Sequence, residues 1–95
     1  MPNLKTIGNY SFVECANLIT IRFPEILESI GNQAFVMCTR LAKVIFTNKP
    51  ASIGNAIFGG CDQLQHIYVP WSEGEVPGIP WGATNAIIHY NDTGG

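Results

Sequence analysis

The tripeptide Ile7-Gly8-Asn9 returns as Ile30-Gly31-Asn32 and again as Ile53-Gly54-Asn55, a step of 23 residues. The same step carries Phe12 to Phe35 and Phe58, Cys15 to Cys38 and Cys61, and Leu18 to Leu41 and Leu64. Ile21, Val44 and Ile67 follow, and Phe23, Phe46 and Val69 close the unit. The unit reads I-G-N-x-x-F-x-x-C-x-x-L-x-x-[IV]-x-[FV]. A repeat this short cannot bury its apolar face alone, so its copies must stack and share one continuous core.

Each part of the unit has a local reading. Leu18, Ile21 and Phe23 end in an alternating run, which is a strand with one face turned inward; Leu41–Phe46 and Leu64–Val69 repeat it. The Gly-Asn step marks a turn, and Asn is a good helix N-cap. Phe and Cys three residues apart then share one face of a single helical turn. The spacing therefore predicts strand, bend, short helical turn and return, with strands of adjacent copies parallel and roughly 4.8 Å apart.

This pattern resembles the BspA-like leucine-rich-repeat family, whose coils carry I-G-x-x-A-F-x-x-C-x-x-L-x-x-I-x-I-P. The second copy, Ile30 to Leu41, matches it most fully, and the terminal Pro appears as Pro24 and Pro70. The resemblance covers residues 4–70, about three coils. It implies an α/β repeat, a short right-handed leucine-rich-repeat solenoid with parallel strands and short helical turns. Two departures stand out. Ile26-Leu27 becomes Lys49-Pro50, so that connection should differ, and Val36-Met37 becomes Gly59-Gly60, so the third turn should be looser.

The period ends at Pro70. Residues 1–70 form the repeat coils, 71–91 read as a capping segment and 92–95 as a frayed tail. In the cap, Trp71 and Trp81 flank a Pro/Gly-rich loop and would lie over the last coil, and Ala86, Ile88 and Tyr90 alternate as one last strand. The N-terminal end shows no such device, and self-association through this uncapped coil is expected of the chain alone.

Composition bounds the function. At 95 residues the chain is one domain, and 46% hydrophobic with 13% charged residues excludes intrinsic disorder. A net charge of −2 without a Lys/Arg cluster argues against nucleic acid as a partner. No apolar run reaches the ~18 residues of a membrane span, and Met1 to Gly8 show no signal peptide.

The candidates for chemistry are few. Cys15, Cys38 and Cys61 would sit in adjacent coils, close enough for a disulfide or a thiolate site, but their column lies inside among Phe and Leu and reads as an inert ladder. With Phe12, Phe35 and Phe58 it forms the structural core. His66 and His89 share the step of 23 and would stack if the last strand kept register. Two histidines fall short of the three or four ligands of a zinc site and read as exposed strand residues, so neither metal nor cofactor is expected. No Ser lies in G-x-S-x-G, and Glu73 and Glu75 lie on a Pro/Gly-rich loop that fixes no separation between them. An enzyme is not expected.

What remains is the outward strand face, with Thr20, Lys43 and His66 in one row, Arg22, Ile45 and Tyr68 in the next, and Trp71 extending the patch. Exposed Arg, Tyr and Ile together suit a protein partner, and solenoid sheets serve as extended binding surfaces. The resemblance implies a bacterial surface protein engaged in adhesion, at the cell surface or outside it as part of a longer chain. Two alternatives are a structural component of a phage or prophage particle, and a carbohydrate-binding module stacking sugars on Tyr68, Trp71 and Trp81.

Overall fold

The computed structural model describes residues 5–76, 81–83 and 85–92. Among the described residues seven short strands run in the order β1 (Thr6–Ile7), β2 (Thr20–Phe23), β3 (Ser29–Ile30), β4 (Lys43–Phe46), β5 (Ser52–Ile53), β6 (His66–Tyr68) and β7 (Ile87–His89). They form two parallel sheets, β1-β3-β5 and β2-β4-β6-β7. In both, register up to β6 follows the period: Ile7 pairs with Ile30 and Ile30 with Ile53, while Ile21 pairs with Val44 and Val44 with Ile67. The chain is a parallel-strand β-solenoid of about three turns.

The stacked unit explains the sheets. Alternation in Thr20–Phe23 buries Ile21 and Phe23 and exposes Thr20 and Arg22. The next coil places Val44 and Phe46 directly above, and Phe23 and Phe46 touch at 4.8 Å between ring centroids. On the turn side Phe12 and Phe35 stack at 4.9 Å, 3° from parallel, and Phe35 and Phe58 at 5.8 Å. Leu41 and Leu64 are fully buried, and Leu18 is partly buried against the same core. Each large apolar side chain buried this way contributes roughly 1.5–3 kcal/mol.

The predicted helical turns are corrected: there is no helix among the described residues. Each coil carries two residues with positive φ on this side, Tyr10 and Glu14, Gln33 and Met37, Ala56 and Gly60. They bracket three residues, too few for a closed i→i−4 turn. Every second backbone amide bonds between coils, while those of Ser11, Val13, Val36 and Gly59 make local turn bonds to the carbonyls of Gly8, Tyr10, Gln33 and Ala56. Tyr10, Phe12 and Glu14 donate their amides to the carbonyls of Asn32, Ala34 and Val36, and Gln33, Phe35 and Met37 donate to Asn55, Ile57 and Gly59. Asn is not a helix cap here. The Asn9 side-chain oxygen accepts the Asn32 amide at 2.7 Å, and that of Asn32 accepts the Asn55 amide at 2.9 Å, an amide ladder along the stack.

The first departure changes the connection as expected: the Leu27 amide bonds the Pro24 carbonyl at 3.1 Å, a bond Pro50 cannot make, having no N–H. Leu27 and Pro50 occupy the same buried place, and the second connection is held by bonds back to the previous coil, Thr47 Oγ1 to the Phe23 carbonyl (2.6 Å) and Asn48 Nδ2 to the Glu25 carbonyl (3.1 Å). The third turn is not looser. Gly60 keeps the left-handed φ of Met37 and Glu14. A Cβ on Gly82 would lie 3.1 Å from the Gly59 Cα, so the missing side chain of Gly82 lets Trp81-Gly82 pack directly on this turn.

Trp81 and Trp71 then close on the last coil. The Trp81 carbonyl accepts the Phe58 amide at 2.9 Å, and both indoles lie 5.4 Å from the Phe46 ring. Ala86, Ile88 and Tyr90 pack partly buried against the core beside them. Asp92 donates its amide to the Val69 carbonyl, so it is held rather than frayed; residues 93–95 lie outside the described residues, as do 1–4.

Candidate functional site

The four-stranded sheet sets two rows of outward side chains. Thr20, Lys43, His66 and Ile87 are register partners in one, and Arg22, Ile45, Tyr68 and His89 in the other. Thr20 and Arg22 are exposed, while Lys43, His66 and Tyr68 are half-buried. The rows hold Lys and Arg and no carboxylate.

Ile45 and Trp71 depart from the expected patch. Ile45 is only 6% exposed, because its strand is central and its register neighbours are the long side chains Arg22 and Tyr68. Trp71, 4% exposed, is a core residue packed on Phe46, and Trp81 is buried beside it. Neither indole can offer a face to a sugar, which removes the stacking platform the carbohydrate reading needs.

The sequence reading missed how tightly the far end of this face is knit. Tyr68 and His89 stack at 4.3 Å and 12°, and the Lys43 ammonium lies 5.2 Å from the centre of the Tyr68 ring. The Nδ1 of His66 and the Nε2 of His89 are 3.0 Å apart, a hydrogen bond in which one ring nitrogen donates and the other accepts. The histidines are thus partnered and half-buried rather than exposed singly. The last strand also breaks the period: His66 pairs with Ile87 and Tyr68 with His89, a step of 21. The available signal was the alternation of Ala86, Ile88 and Tyr90, which puts Ile87 and His89 outward.

The cysteines are free thiols. Cys38 and Cys61 are buried, and each Sγ lies 3.1 Å from the carbonyl of a Phe in the preceding coil, Phe12 and Phe35 respectively. Burial pushes both thiols up, Cys61 to about 11. Cys15 is half-buried and differs from them in access. A thiol this reluctant to ionise is a poor nucleophile and a poor metal ligand.

Elsewhere a shallow cleft of about 330 Å³ lies between Lys49–Ile53 and Glu75-Val76. Lys49 and Glu75 face each other across it at 3.9 Å, both half-exposed. Among the described residues no group of three or more His, Cys, Asp or Glu converges on a point, and no helix is long and apolar enough to cross a membrane.

A stack of parallel coils with this repeat agrees with a family model, the BspA type leucine rich repeat region, six copies, which matches residues 1–77. The chain belongs to the BspA type leucine-rich-repeat family. A crystal structure of a leucine rich repeat protein of T. pallidum is similar to this BspA type chain at 28% identity and a TM-score of 0.73. The similarity covers 93% of this chain and 42% of that one, so the BspA type coils here span less than half of the solved protein. A search of curated proteins finds no match.

Proposed function

We propose that this chain is a non-catalytic protein-interaction module whose binding surface is the outward face of β2-β4-β6-β7. The observation that carries the reading is the pair of rows on that face, in which Arg22 on β2 and Lys43 on β4 lead to a stacked Tyr68–His89 pair at the far end, with no carboxylate among them. Arg and Tyr are enriched in interface cores, and a face with cations only suits a partner that presents carboxylates beside apolar groups. Residues 71–91 serve as the cap in this reading, supported by the two indoles packed over Phe46. Phe12, Cys15 and Leu18 are only partly covered where Phe35, Cys38 and Leu41 are fully buried, which supports a second copy docking on the first coil.

The finer reading is a segment of a bacterial cell-surface adhesion protein. It rests on the family and on the similarity to a repeat protein of T. pallidum. The test is binding of the chain to immobilised extracellular-matrix proteins, with Arg22→Glu and Tyr68→Ala beside the wild type. Saturable binding that both variants weaken by about tenfold, the equivalent of ~1.4 kcal/mol, is the expected result. Arg22 is exposed, so its reversal leaves the fold intact. Binding that Arg22→Glu leaves unchanged would move the interface off this face, and no binding to any matrix protein would end the adhesion reading.

A further inference from the structure

We propose that His66 and His89 form an open two-ligand site for a divalent first-row transition ion, with Zn2+, Ni2+ and Cu2+ as the class it takes. The decisive observation is the distance between Nδ1 of His66 and Nε2 of His89, 3.0 Å. A metal bound at ~2.0–2.1 Å to each of two imidazole nitrogens, with an angle between 90 and 109°, holds those nitrogens roughly 2.9–3.4 Å apart. The spacing that makes the hydrogen bond is therefore also a chelating spacing. Chelation asks each ring to swing its lone pair roughly 35–45° off the line joining the two nitrogens, toward a common point outside the sheet, for a ligand angle of 90–109°.

The sheet supplies the order such a site needs. His66 is fixed on β6 beside its register partner Ile87, and His89 on β7 beside Tyr68. The Tyr68 ring lies flat on that of His89 and sets its plane. His66 and His89 are both half-buried, so solvent reaches the remaining coordination positions, which water fills. With no third His, Cys, Asp or Glu converging among the described residues, this is not a closed structural centre. It is a weak, exchangeable site with open positions, and imidazole is a ligand these three ions share. The Lys43 ammonium over Tyr68 is the one cation facing the pair from β4 and works against a second positive charge, which limits affinity further.

Binding requires both ring nitrogens unprotonated, so it exchanges the His–His hydrogen bond and competes with protons on His66 and His89, the phenol of Tyr68 and the ammonium of Lys43 being the other titratable groups on this face. The ion also staples β7 to β6, so it should raise the melting temperature by mass action.

The site is independent of any partner and is tested without one. The chain carries Cys15→Ser, to remove the most accessible thiol, and is titrated with Zn2+ to millimolar concentration while the imidazole carbon-bound protons are followed by NMR. The expected result is one saturable site that moves both imidazoles together, a melting temperature that rises with Zn2+, and weaker binding on acidification. Losing a ligand outright should cost at least the about tenfold that loss of an outer-shell partner costs, in His66→Gln and His89→Gln alike. Absence of saturable shifts in the wild-type histidines would overturn the site, and so would Zn2+ binding unchanged in the double variant. Because the first readout uses the wild-type side chains, a variant that unfolded would still leave the proposal decided.

Discussion

At the scale of single residues, the recurring Gly is a matter of space. A Cβ on Gly54 would fall 2.6 Å from the Asn32 amide nitrogen, and one on Gly31 would collide with the Asn9 backbone and side chain. A Cβ on Gly8 would meet only Ser11 Oγ, at 3.2 Å. The three glycines look identical in sequence, yet Gly54→Ala should destabilise by about 3 kcal/mol, near the top of single-substitution effects, and Gly8→Ala by under about 1 kcal/mol. Urea denaturation of the two variants measures this, and equal midpoints would contradict the close stacking. The cysteines give a second test. Ellman's reagent should label Cys15 in the folded chain well before Cys38 and Cys61. The sign of the pH effect follows from burial. Cys61 ionises near 11 when folded against an ordinary value near 9, so above 9 the unfolded chain releases a proton that the folded chain retains. Stability should therefore fall between pH 9 and 11, on the order of 2 kcal/mol, with Cys38 acting in the same direction. A flat stability curve across that range would show the thiols are not desolvated.

At the scale of elements, the strands were legible and the turns were not. Alternation at Ile21 and Phe23, repeated every 23 residues, specifies both a strand and its register. The helical turn was inferred from Phe and Cys three apart, a spacing that says which residues share a face but not where the backbone amides go. Every second one goes to the next coil, as those of Tyr10, Phe12 and Glu14 do, with Tyr10 and Glu14 at a positive φ that neither residue type announces. Asn9 and Asn32 were read as caps for the same reason; their amides fit a ladder equally well. The phenylalanine column allows this side of the coil to be weighed. Phe35 is fully buried between two rings, so Phe35→Ala should cost about 3–5 kcal/mol, whereas partly buried Phe12 should cost roughly half as much. Thermal unfolding of the pair checks this, and a Phe12→Ala loss as large as that of Phe35→Ala would mean the column is not built as described.

At the scale of the whole molecule, the repeat named the family and the general shape, while the packing beyond the last coil and the exposure on the outward sheet face needed coordinates. The period did not say that β7 pairs with a step of 21, since that depends on how the chain leaves the last coil, whereas the packing of Trp71 and Trp81 over that coil was readable from the segment that follows the repeat. Arg22, Lys43 and Tyr68 were readable as an outward set because strand alternation and a fixed period place them. The exposure of Ile45 was not, because it depends on the lengths of its neighbours. The regular step has a further bearing on how such a chain can change size. The strand residues of the middle coil pair with their counterparts above and below, and Phe35 stacks between Phe12 and Phe58, so one more 23-residue copy spliced between coils would arrive with these complementary surfaces ready-made. Lengthening by duplication then leaves the pairing rules of the stack unchanged, and the Trp71 and Trp81 packing can travel unaltered on a taller one.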